Sequence, residues 1–344
     1  MRANRLKHAF TFGKFLPFHK GHEAMVRFAL AHSEMVTVIA CASDKERIPV
    51  AQRCRWIRET FADDPRLHVI PFEFREEVLP NTSVASRDIS RLWSRAFAPL
   101  VQGCDGVVTS EAYGDFVAQE LGIEHVVFDM AREQCAVSAS KVNAQPQKYW
   151  NYLPDAVKTD LAFTVVILGT ESTGKTTLTQ NLAKHYGATA VYEAGRDLVE
   201  SSDAFDFALL PLVAQTHAGM MLEGKRGDCP LVVVDTDVHI TASYARFCFE
   251  RDLTIEPDVR AANRANLYLY LDKDAPFVQD GTRMDEARRN LLDASHRQML
   301  HENNVPYVLI QGDWEERFKQ ACSLIDAAFE AYFPWRMRLT DEVI

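Results

Sequence analysis

The sequence lacks three features that would assign it early to a specialised class of protein. Its seven cysteines include no C-x-x-C spacing, so neither a zinc site nor a redox pair is indicated. No run approaches the roughly 18–20 apolar residues that a membrane-spanning helix needs. The basic first residues lead into a strand pattern rather than a secretory leader, and the cysteine count is odd. We therefore expect a cytoplasmic protein with reduced thiols and no membrane partner.

Positive charge is also scarce, because 38 lysine and arginine residues stand against 48 aspartate and glutamate residues, a formal net charge of −10. An acidic chain argues against DNA binding through its whole surface. The 344 residues, 47% hydrophobic and 25% charged, are typical of globular proteins and sufficient for two domains. A homo-oligomer is compatible with this composition, which does not determine the oligomeric state.

Short β-branched runs alternate with helical patterns along the chain, which predicts an α/β fold with parallel sheets and right-handed crossovers. The predicted strands are residues 8–12, 36–42, 67–72, 107–109 and 125–128 in the first half, and 163–168, 188–192, 231–234, 266–271 and 307–310 in the second. The alternation is interrupted near residues 146–160. We predict two three-layer domains, residues 1–155 and residues 156–344, the second ending in a helix over residues 313–332.

The most specific motif is a complete G-x-x-x-x-G-K-T loop between the predicted strand 163–168 and a helical pattern. Such a loop curls so that backbone N–H groups point at phosphate oxygens. Its lysine reaches the β- and γ-phosphates, and its threonine hydroxyl can hold Mg²⁺. The residues that we expect to bind ATP are Gly169, Thr170, Glu171, Ser172, Thr173, Gly174, Lys175, Thr176 and Thr177. A glycine turn with an accidental lysine is the ordinary alternative, and both flanks argue against it.

Acidic residues follow two further predicted strands, at the end of a parallel sheet where ligands bind. Asp235 ends a buried strand and is the expected Mg²⁺ ligand together with Thr176, whereas Asp237 suits the metal shell or a substrate ribose equally well. Glu193 is placed to accept a proton from a substrate hydroxyl, and Arg196 to bind substrate or phosphate. Ordinary charges at a helix start or strand end would explain the same residues.

Several arginines follow the fourth strand of this half. A glycine turn precedes Arg283, a pattern that looks like the lid of a small kinase, which excludes water and brings a cation to the γ-phosphate. We predict a catalytic role for Arg283. For Arg288 and Arg289 we favour a solvated helix surface.

The first half has its own strand-to-helix turn, with the pattern G-x-F-x-P-x-H-x-G-H. His19 and His22 flank Gly21, which lets the backbone approach a ligand, and both rings can donate to phosphate oxygens at the helix start. With Gly13 and Phe15 they predict a triphosphate site suited to attack on an α-phosphate, where positioning and charge stabilisation suffice. Structural histidines are the ordinary alternative.

This motif resembles that of the nucleotidylyl transferases with a Rossmann-like fold. The two halves together resemble the bifunctional NadR-type family, in which a nicotinamide-nucleotide adenylyltransferase is joined to a P-loop ribosylnicotinamide kinase. Further segments carry the resemblance through their order and spacing, at residues 53–56, 110–114, 129–132, 137–140, 148–150, 192–196, 235–237 and 277–283. The resemblance implies that Ser138 and Ser140, in the last motif of the first domain, contribute to ATP binding.

Two departures from the family pattern bear on function. Family members often begin with a helix-turn-helix domain, whereas here the strand leading into Gly13 starts within about ten residues of Met1, so an enzymatic rather than transcriptional role is expected. The family motif I-S-A-T-x-I-R has its arginine where this chain has Asn143, and Lys141 lies about 200° away around a helix. Losing a charged donor to pyrophosphate costs about 2.7–4 kcal/mol, by analogy with an oxyanion donor. We therefore expect an adenylyltransferase domain that is weak, depends on another basic residue or is retained only for binding.

The resemblance implies an NAD salvage enzyme that uses ATP and Mg²⁺. The second domain would phosphorylate ribosylnicotinamide to nicotinamide mononucleotide, and the first would adenylylate that product to NAD with release of pyrophosphate. Gln215 and His217 are equally good candidates for a nicotinamide contact and for surface positions. Two alternatives stay open: a kinase with a vestigial or ligand-sensing first domain, and a non-enzymatic nucleotide-sensing regulator.

Overall fold

The computed structural model describes residues 5–81, 86–131, 133, 137–198, 206–274 and 286–332; for Arg196 and Asp197 it describes only the backbone. Backbone contacts divide the chain into two compact units, of which the first ends at Val157 and the second begins at Lys158. The division falls two residues after the predicted boundary. Each unit contains one five-stranded sheet.

The first unit alternates strands and helices. Its elements are β1 (Leu6–Gly13), α1 (Lys20–His32), β2 (Ser33–Ser43), α2 (Val50–Thr60), β3 (Leu67–Phe74), α3 (Arg87–Phe97), β4 (Gly106–Thr109), α4 (Tyr113–Leu121), β5 (Glu124–Val127), α5 (Ala139–Ala144), α6 (Pro146–Tyr149) and a 3₁₀ turn (Trp150–Tyr152). The sheet order is β3-β2-β1-β4-β5, and every pairing is parallel. The strand order therefore reverses between β1 and β4, and ligands bind at the carboxyl ends of such a switch point.

Helices cover both faces of this sheet. On one face Phe10, Ile39 and Val107 pack with Phe97 of α3 and Val117 of α4. Helices α1 and α2 pack on β2 and β3 from the other face. Strand β2 is almost continuously apolar because a central parallel strand is buried on both faces.

The second unit repeats this architecture around a different strand order. Its elements are α7 (Asp155–Leu161, which spans the division), β6 (Phe163–Leu168), α8 (Lys175–Tyr186), β7 (Thr189–Val191), α9 (Gly195–Leu198), a 3₁₀ turn (Phe207–Leu209), α10 (Leu210–Lys225), β8 (Leu231–Asp235), α11 (Val238–Phe249), α12 (Pro257–Ala262), β9 (Leu267–Leu271), α13 (Glu286–Glu302), β10 (Val308–Ile310) and α14 (Trp314–Tyr332). The order β10-β9-β6-β8-β7 is parallel throughout and places β6 at the centre.

The buried core of the second unit explains why its central strands are apolar. Val165, Ile167, Val233 and Leu269 pack with α8 and α14 in one buried cluster. Strands β6 and β8 are buried along their whole length, so no polar alternation interrupts them. All ten predicted strands are confirmed, with ends that differ by at most three residues, and so is the last helix. The predicted α/β fold with two parallel sheets is therefore confirmed.

Two expectations concern membrane-spanning helices and the state of the cysteines. Within the described ranges, no helix combines the length and apolar character that crossing a membrane requires. The six cysteines in the described part of the chain are free thiols, and Cys135 lies outside it.

Candidate functional sites

The phosphate loop of the second unit follows the central strand β6 and leads into α8. Gly169 has φ +142, and a Cβ there would lie 2.9 Å from the carbonyl oxygen of Leu271. Gly174 has φ +86, and a Cβ there would lie 2.2 Å from Cζ3 of Trp314. Both positions therefore require glycine, for backbone conformation and for space.

The lysine of the loop folds back onto the loop itself. Lys175 Nζ donates to the carbonyl oxygen of Thr170 at 3.0 Å, and the Thr173 hydroxyl donates to the same oxygen at 2.8 Å. The ammonium group is thus held beside the N-terminus of α8, where the helix dipole adds partial positive charge. This concentration of positive charge suits a bound phosphate chain.

Thr176, the second residue of α8, contacts Asp235 at the carboxyl end of β8. The Thr176 hydroxyl donates to Asp235 Oδ2 across 2.5 Å, whereas Asp235 Oδ1 is buried without a hydrogen-bond partner. A buried, unpartnered carboxylate oxygen is costly unless a cation or a donor completes it. Mg²⁺ usually takes one or two carboxylates and fills its other positions with phosphates and water. The residues present therefore fit Mg²⁺.

Two buried arginines hold the phosphate loop in place. Arg289 Nε donates to the carbonyl oxygen of Glu171 at 2.9 Å. Arg317 Nη1 donates to the carbonyl oxygen of Thr173 at 2.9 Å. Because each guanidinium is bonded to a backbone carbonyl of the loop, both arginines position the loop.

The predicted solvated position of Arg289 is wrong, because α13 turns this side chain inward. It shares a buried face with Leu292 and His296, at i+3 and i+7. That helical spacing is the signal that would have identified it from the sequence. Arg288, one residue earlier, is exposed as predicted.

Glu193 follows β7 and lies at the same end of the sheet as Asp235. Burial lowers the pKa of His217 and raises the pKa of Tyr244, and the charge of Glu193 lies close enough to oppose the first shift and add to the second. Tyr244 in turn donates to Glu171 Oε1 of the phosphate loop at 3.1 Å. The structure thus brings the predicted proton acceptor, the metal-site aspartate and the phosphate loop to one end of the sheet.

His217 is buried beside the end of β8 rather than at the surface. Its Nε2 lies 3.2 Å from the carbonyl oxygen of Thr236, so Nε2 carries the proton and Nδ1 is left as an acceptor. Burial lowers the pKa of His217, against the opposing influence of nearby carboxylates, and the ring is therefore neutral. The Nδ1 atom of His217 and the hydroxyl of Thr236 are both buried without a hydrogen-bond partner.

The residues after β8 have an unusual backbone and a helix cap. Thr236 has φ +70, a conformation that β-branched residues rarely adopt and that often marks a ligand site. Asp237 caps α11, since Oδ1 accepts from the N–H groups of His239 and Ile240, and Oδ2 lies 2.6 Å from His239 Nδ1. A substrate contact of Asp237 stays a prediction.

Two predicted site residues of the second unit fall where the structure gives no side chain. Arg283 lies outside the described residues, and for Arg196 only the backbone within α9 is described. Their roles stay predictions.

The histidine pair of the first unit forms a reciprocal helix cap. His19 Nδ1 accepts from the N–H groups of Gly21 and His22 at 3.1 and 3.3 Å, and His22 Nδ1 accepts from the N–H of His19 at 3.4 Å. The rings stack with centroids 3.7 Å apart. Because both Nδ1 atoms accept, each neutral ring carries its proton on Nε2. The pair therefore presents two N–H donors of the kind that a phosphate accepts.

The turn before the pair is held by aromatic packing and by a buried arginine. Phe15, with φ +49, is buried, and its ring meets His22 edge-on with centroids 5.0 Å apart. A Cβ at Gly13 would lie 3.4 Å from the Phe15 ring. Arg53 is fully buried, and its Nη1 donates to the carbonyl oxygens of Lys14 and Cys41 at 3.0 and 2.9 Å. Arg53 thus positions this turn rather than contacting solvent.

In the motif that opens α5, the side chains of Ser138 and Asn143 contact the backbone of the first unit, and Asn143 stands where the family pattern has arginine. The Ser138 hydroxyl caps α5 by accepting from the N–H of Lys141 at 3.3 Å, and Ser140 is exposed. Asn143 Nδ2 donates to the carbonyl oxygen of Leu16 at 3.2 Å, and its Oδ1 is buried without a partner. Asn143 therefore anchors α5 to the turn before the histidine pair.

Each unit places a strand-to-helix turn with phosphate-binding features after an inner strand of a parallel sheet, next to the point where the strand order reverses. This arrangement defines an α/β protein of the nucleotide-binding class, with one phosphate loop of the P-loop type.

Comparisons with known proteins agree with that class. Residues 164–317 match the family model described as an AAA domain. The chain is 29% identical over 346 aligned residues to the trifunctional NAD biosynthesis/regulator protein NadR of Escherichia coli (strain K12), with 92% of this chain and 82% of the relative covered. The predicted resemblance to NadR-type proteins is therefore confirmed.

Two solved NadR structures show the same fold. One, in complex with NAD and AMP-PNP, has a TM-score of 0.64 at 21% identity and covers 95% of this chain and 96% of its own. The other, in complex with NR, has a TM-score of 0.65 at 20% identity and covers 96% of this chain and 97% of its own.

Proposed function

We propose that this protein makes NAD from ribosylnicotinamide in two ATP-dependent steps. The second domain, residues 156–344, phosphorylates the 5′-hydroxyl of ribosylnicotinamide and gives nicotinamide mononucleotide. The first domain, residues 1–155, transfers the adenylyl group of a second ATP to that product and gives NAD and pyrophosphate. Similarity to NadR over 92% of the chain supports the proposal, as do the NAD, AMP-PNP and NR named for the solved NadR structures, NR being taken as ribosylnicotinamide.

In the kinase step, the chain supplies positioning, positive charge and a proton acceptor. The N–H groups of the phosphate loop and Lys175 bind the β- and γ-phosphates. Glu193 accepts the proton as the 5′-oxygen bonds to the γ-phosphorus, the bond from that phosphorus to the β–γ bridging oxygen breaks, and ADP leaves. Mg²⁺ held by Thr176 and Asp235 would neutralise charge on the phosphate oxygens.

The buried Oδ1 atom of Asp235 is the observation that carries this assignment. It lies beside Thr176 at the phosphate loop and has no hydrogen-bond partner. A purely structural carboxylate at this depth would be expected to use both oxygens, because an unsatisfied buried acceptor costs about 1–3 kcal/mol. A cation bound together with a nucleotide explains the open position.

The acceptor nucleoside would bind at the carboxyl ends of β7 and β8. His217 offers a neutral acceptor there, and its buried ring lies within electrostatic reach of Glu193, Asp235 and Asp237. An acceptor nitrogen among carboxylates favours a nucleoside that brings hydrogen-bond donors and positive charge. Ribosylnicotinamide has both, in its carboxamide and its pyridinium ring.

In the adenylyl-transfer step, the histidine pair would stabilise charge rather than form a covalent bond. The Nε2–H groups of His19 and His22 donate to phosphate oxygens of ATP at the start of α1. An oxygen of the mononucleotide phosphate attacks the α-phosphorus, the bond to the α–β bridging oxygen breaks, and pyrophosphate leaves. Ser138 and Ser140 remain predicted ATP contacts.

A kinase with a ligand-sensing first domain is the second candidate, and Asn143 favours it. Its amide donates to the backbone of Leu16 and brings no positive charge to a leaving pyrophosphate. The first domain would then bind NAD or ATP without efficient turnover. In either form we propose a cytoplasmic protein with small-molecule ligands and without DNA as a partner.

Incubation with Mg-ATP and ribosylnicotinamide, followed by chromatographic separation of products, tests both candidates. ADP, nicotinamide mononucleotide, NAD and pyrophosphate are expected if both domains turn over. ADP and the mononucleotide without NAD would support the second candidate. Absence of any product would refute the enzymatic proposal.

A further inference from the structure

Trp314 combines high exposure with a position against the phosphate loop. It is 54% exposed, although large aromatic side chains are usually buried. Two atoms of its ring, Cζ3 and Cη2, would lie 2.2 and 2.3 Å from a Cβ at position 174. Gly174 therefore lets the ring pack directly on the loop backbone while about half of its surface stays open.

Contacts within the described part of the second unit hold this ring in a fixed relation to the loop. The guanidinium carbon of Arg317 lies 5.6 Å from the Trp314 ring centroid, and Arg317 donates to the carbonyl oxygens of Thr173 and Gly312 at 2.9 and 2.8 Å. Asp313 caps α14 by accepting from the N–H groups of the two residues after Trp314, each at 2.9 Å. The ring is therefore a preorganised platform, which reduces the entropy cost of binding to it.

The strand order separates this platform from the groups proposed to bind the phosphoryl acceptor. Strand β10, which Trp314 follows, forms one edge of the sheet, and β7, which Glu193 follows, forms the other. The phosphate loop follows the central strand β6. A nucleotide with its phosphates in the loop can therefore extend its base to the β10 side while the acceptor approaches from the β7 side.

We propose that Trp314 is the stacking platform for the base of the nucleoside triphosphate bound by the second unit. Aromatic rings stack on all nucleobases because every base has a π-face. Stacking on Trp314 therefore strengthens binding of ATP and of GTP, and it does nothing for a triphosphate that has no base. The inference rests on the proposed nucleotide site of the kinase and adds the subsite that binds the base.

The test compares a nucleotide with its base-free counterpart. Affinities of AMP-PNP and of inorganic tripolyphosphate, each with magnesium, are measured by calorimetry for the full chain and for Trp314→Ala, Trp314→Leu and Trp314→Phe. The binding event that Lys175→Ala removes identifies the site of the second unit. We expect Trp314→Ala and Trp314→Leu to weaken AMP-PNP binding about tenfold, within the range for loss of one base stack, and to leave tripolyphosphate binding unchanged. Trp314→Phe should keep most of the affinity. Val308→Thr is the control, since Val308 is an exposed apolar residue at the opposite, amino end of β10.

Tryptophan fluorescence of the intact protein gives a second readout. Stacking should change tryptophan fluorescence on addition of AMP-PNP but not of tripolyphosphate, and Trp314→Phe should abolish the change. Equal losses for both ligands in the variants, or unchanged AMP-PNP binding, would overturn the inference. The stacking proposal and the proposed reaction can fail separately. If Trp314→Ala bound AMP-PNP normally while the protein phosphorylated ribosylnicotinamide, only the stacking role of Trp314 would be refuted. If binding depended on the base but ribosylnicotinamide were not phosphorylated, only the proposed substrate would be refuted.

Discussion

The hydroxyl of Thr176 and the carboxylate of Asp235 join α8 to β8 across 2.5 Å, and the second carboxylate oxygen is buried without a partner. This relationship connects the phosphate loop to the neighbouring strand. It also gives the clearest structural reason to expect a metal-bound nucleotide at this end of the sheet, and several predictions can be tested around it.

Asp235→Asn should reduce kcat of the kinase step by about 10²–10³, the magnitude seen when one preorganised electrostatic contact is removed. The amide keeps the size of the side chain and can still accept from Thr176, but it lacks the charge that balances Mg²⁺. Initial rates of ADP formation at several magnesium concentrations measure the effect. Asp228→Asn, at a side chain that is 91% exposed, is the matched control. Normal activity of Asp235→Asn would remove Asp235 from the metal site.

Gly174→Ala and Gly187→Ala form a matched pair of glycine substitutions at the N-cap and the C-cap of α8. Both positions have positive φ, +86 and +61, so alanine costs about 1–2 kcal/mol of stability at each. Only at Gly174 would the new Cβ also meet the Trp314 ring. We expect Gly174→Ala to lose AMP-PNP binding at least tenfold and Gly187→Ala to keep it, as measured by calorimetry. Equal binding by the two variants would show that the contact between loop and ring is unimportant.

The buried histidine of α13 should make stability depend on pH. Burial lowers the pKa of His296 to about 3, and the charge of Lys175 acts in the same direction. Histidine in the unfolded chain has a pKa of about 6.5. Below that value the unfolded chain takes up a proton that the native ring does not, so the free energy of unfolding falls as the pH falls, by up to about 1.4 kcal/mol per pH unit for one group.

His296→Phe should therefore show a shallower loss of stability on acidification than the unaltered protein. The urea midpoint, followed between about pH 5 and pH 7, measures this, because the linkage of one group acts across that window. His301→Phe, at an exposed position on the same helix, controls for histidine loss as such. An unchanged slope in His296→Phe would mean that other groups cause the pH dependence.

Asn143→Arg tests whether the first domain is limited by a missing charge. We expect pyrophosphate release from ATP and nicotinamide mononucleotide to rise about tenfold or more, since a charged donor to the leaving group contributes several kcal/mol elsewhere. Asn143→Gln, which lengthens the side chain without charge, should give no increase. A coupled pyrophosphate assay compares both. No gain with arginine would remove the argument for a weakened adenylyltransferase.

The sequence predicted the strands and both strand-to-helix turns because these depend on local patterns. The run Phe163–Leu168 is apolar throughout, and the glycines of the loop follow it directly. The roles of Arg289 and Arg317 depend instead on carbonyl groups more than a hundred residues away in the chain, which no local pattern reveals. In the sequence, Trp314 is simply a residue near the start of a predicted helix. Only the fold shows that its exposed ring packs against Gly174.

The final prediction concerns the claim that each domain has its own nucleotide site. Lys175→Ala and His22→Ala are each assayed for NAD formation, once from ribosylnicotinamide and once from nicotinamide mononucleotide, with Mg-ATP in both cases. We predict that Lys175→Ala makes NAD only from the mononucleotide, whereas His22→Ala makes NAD from neither and still converts ribosylnicotinamide to the mononucleotide. If Lys175→Ala also abolished NAD formation from the mononucleotide while remaining folded, the two sites would not be separate and the account would be contradicted.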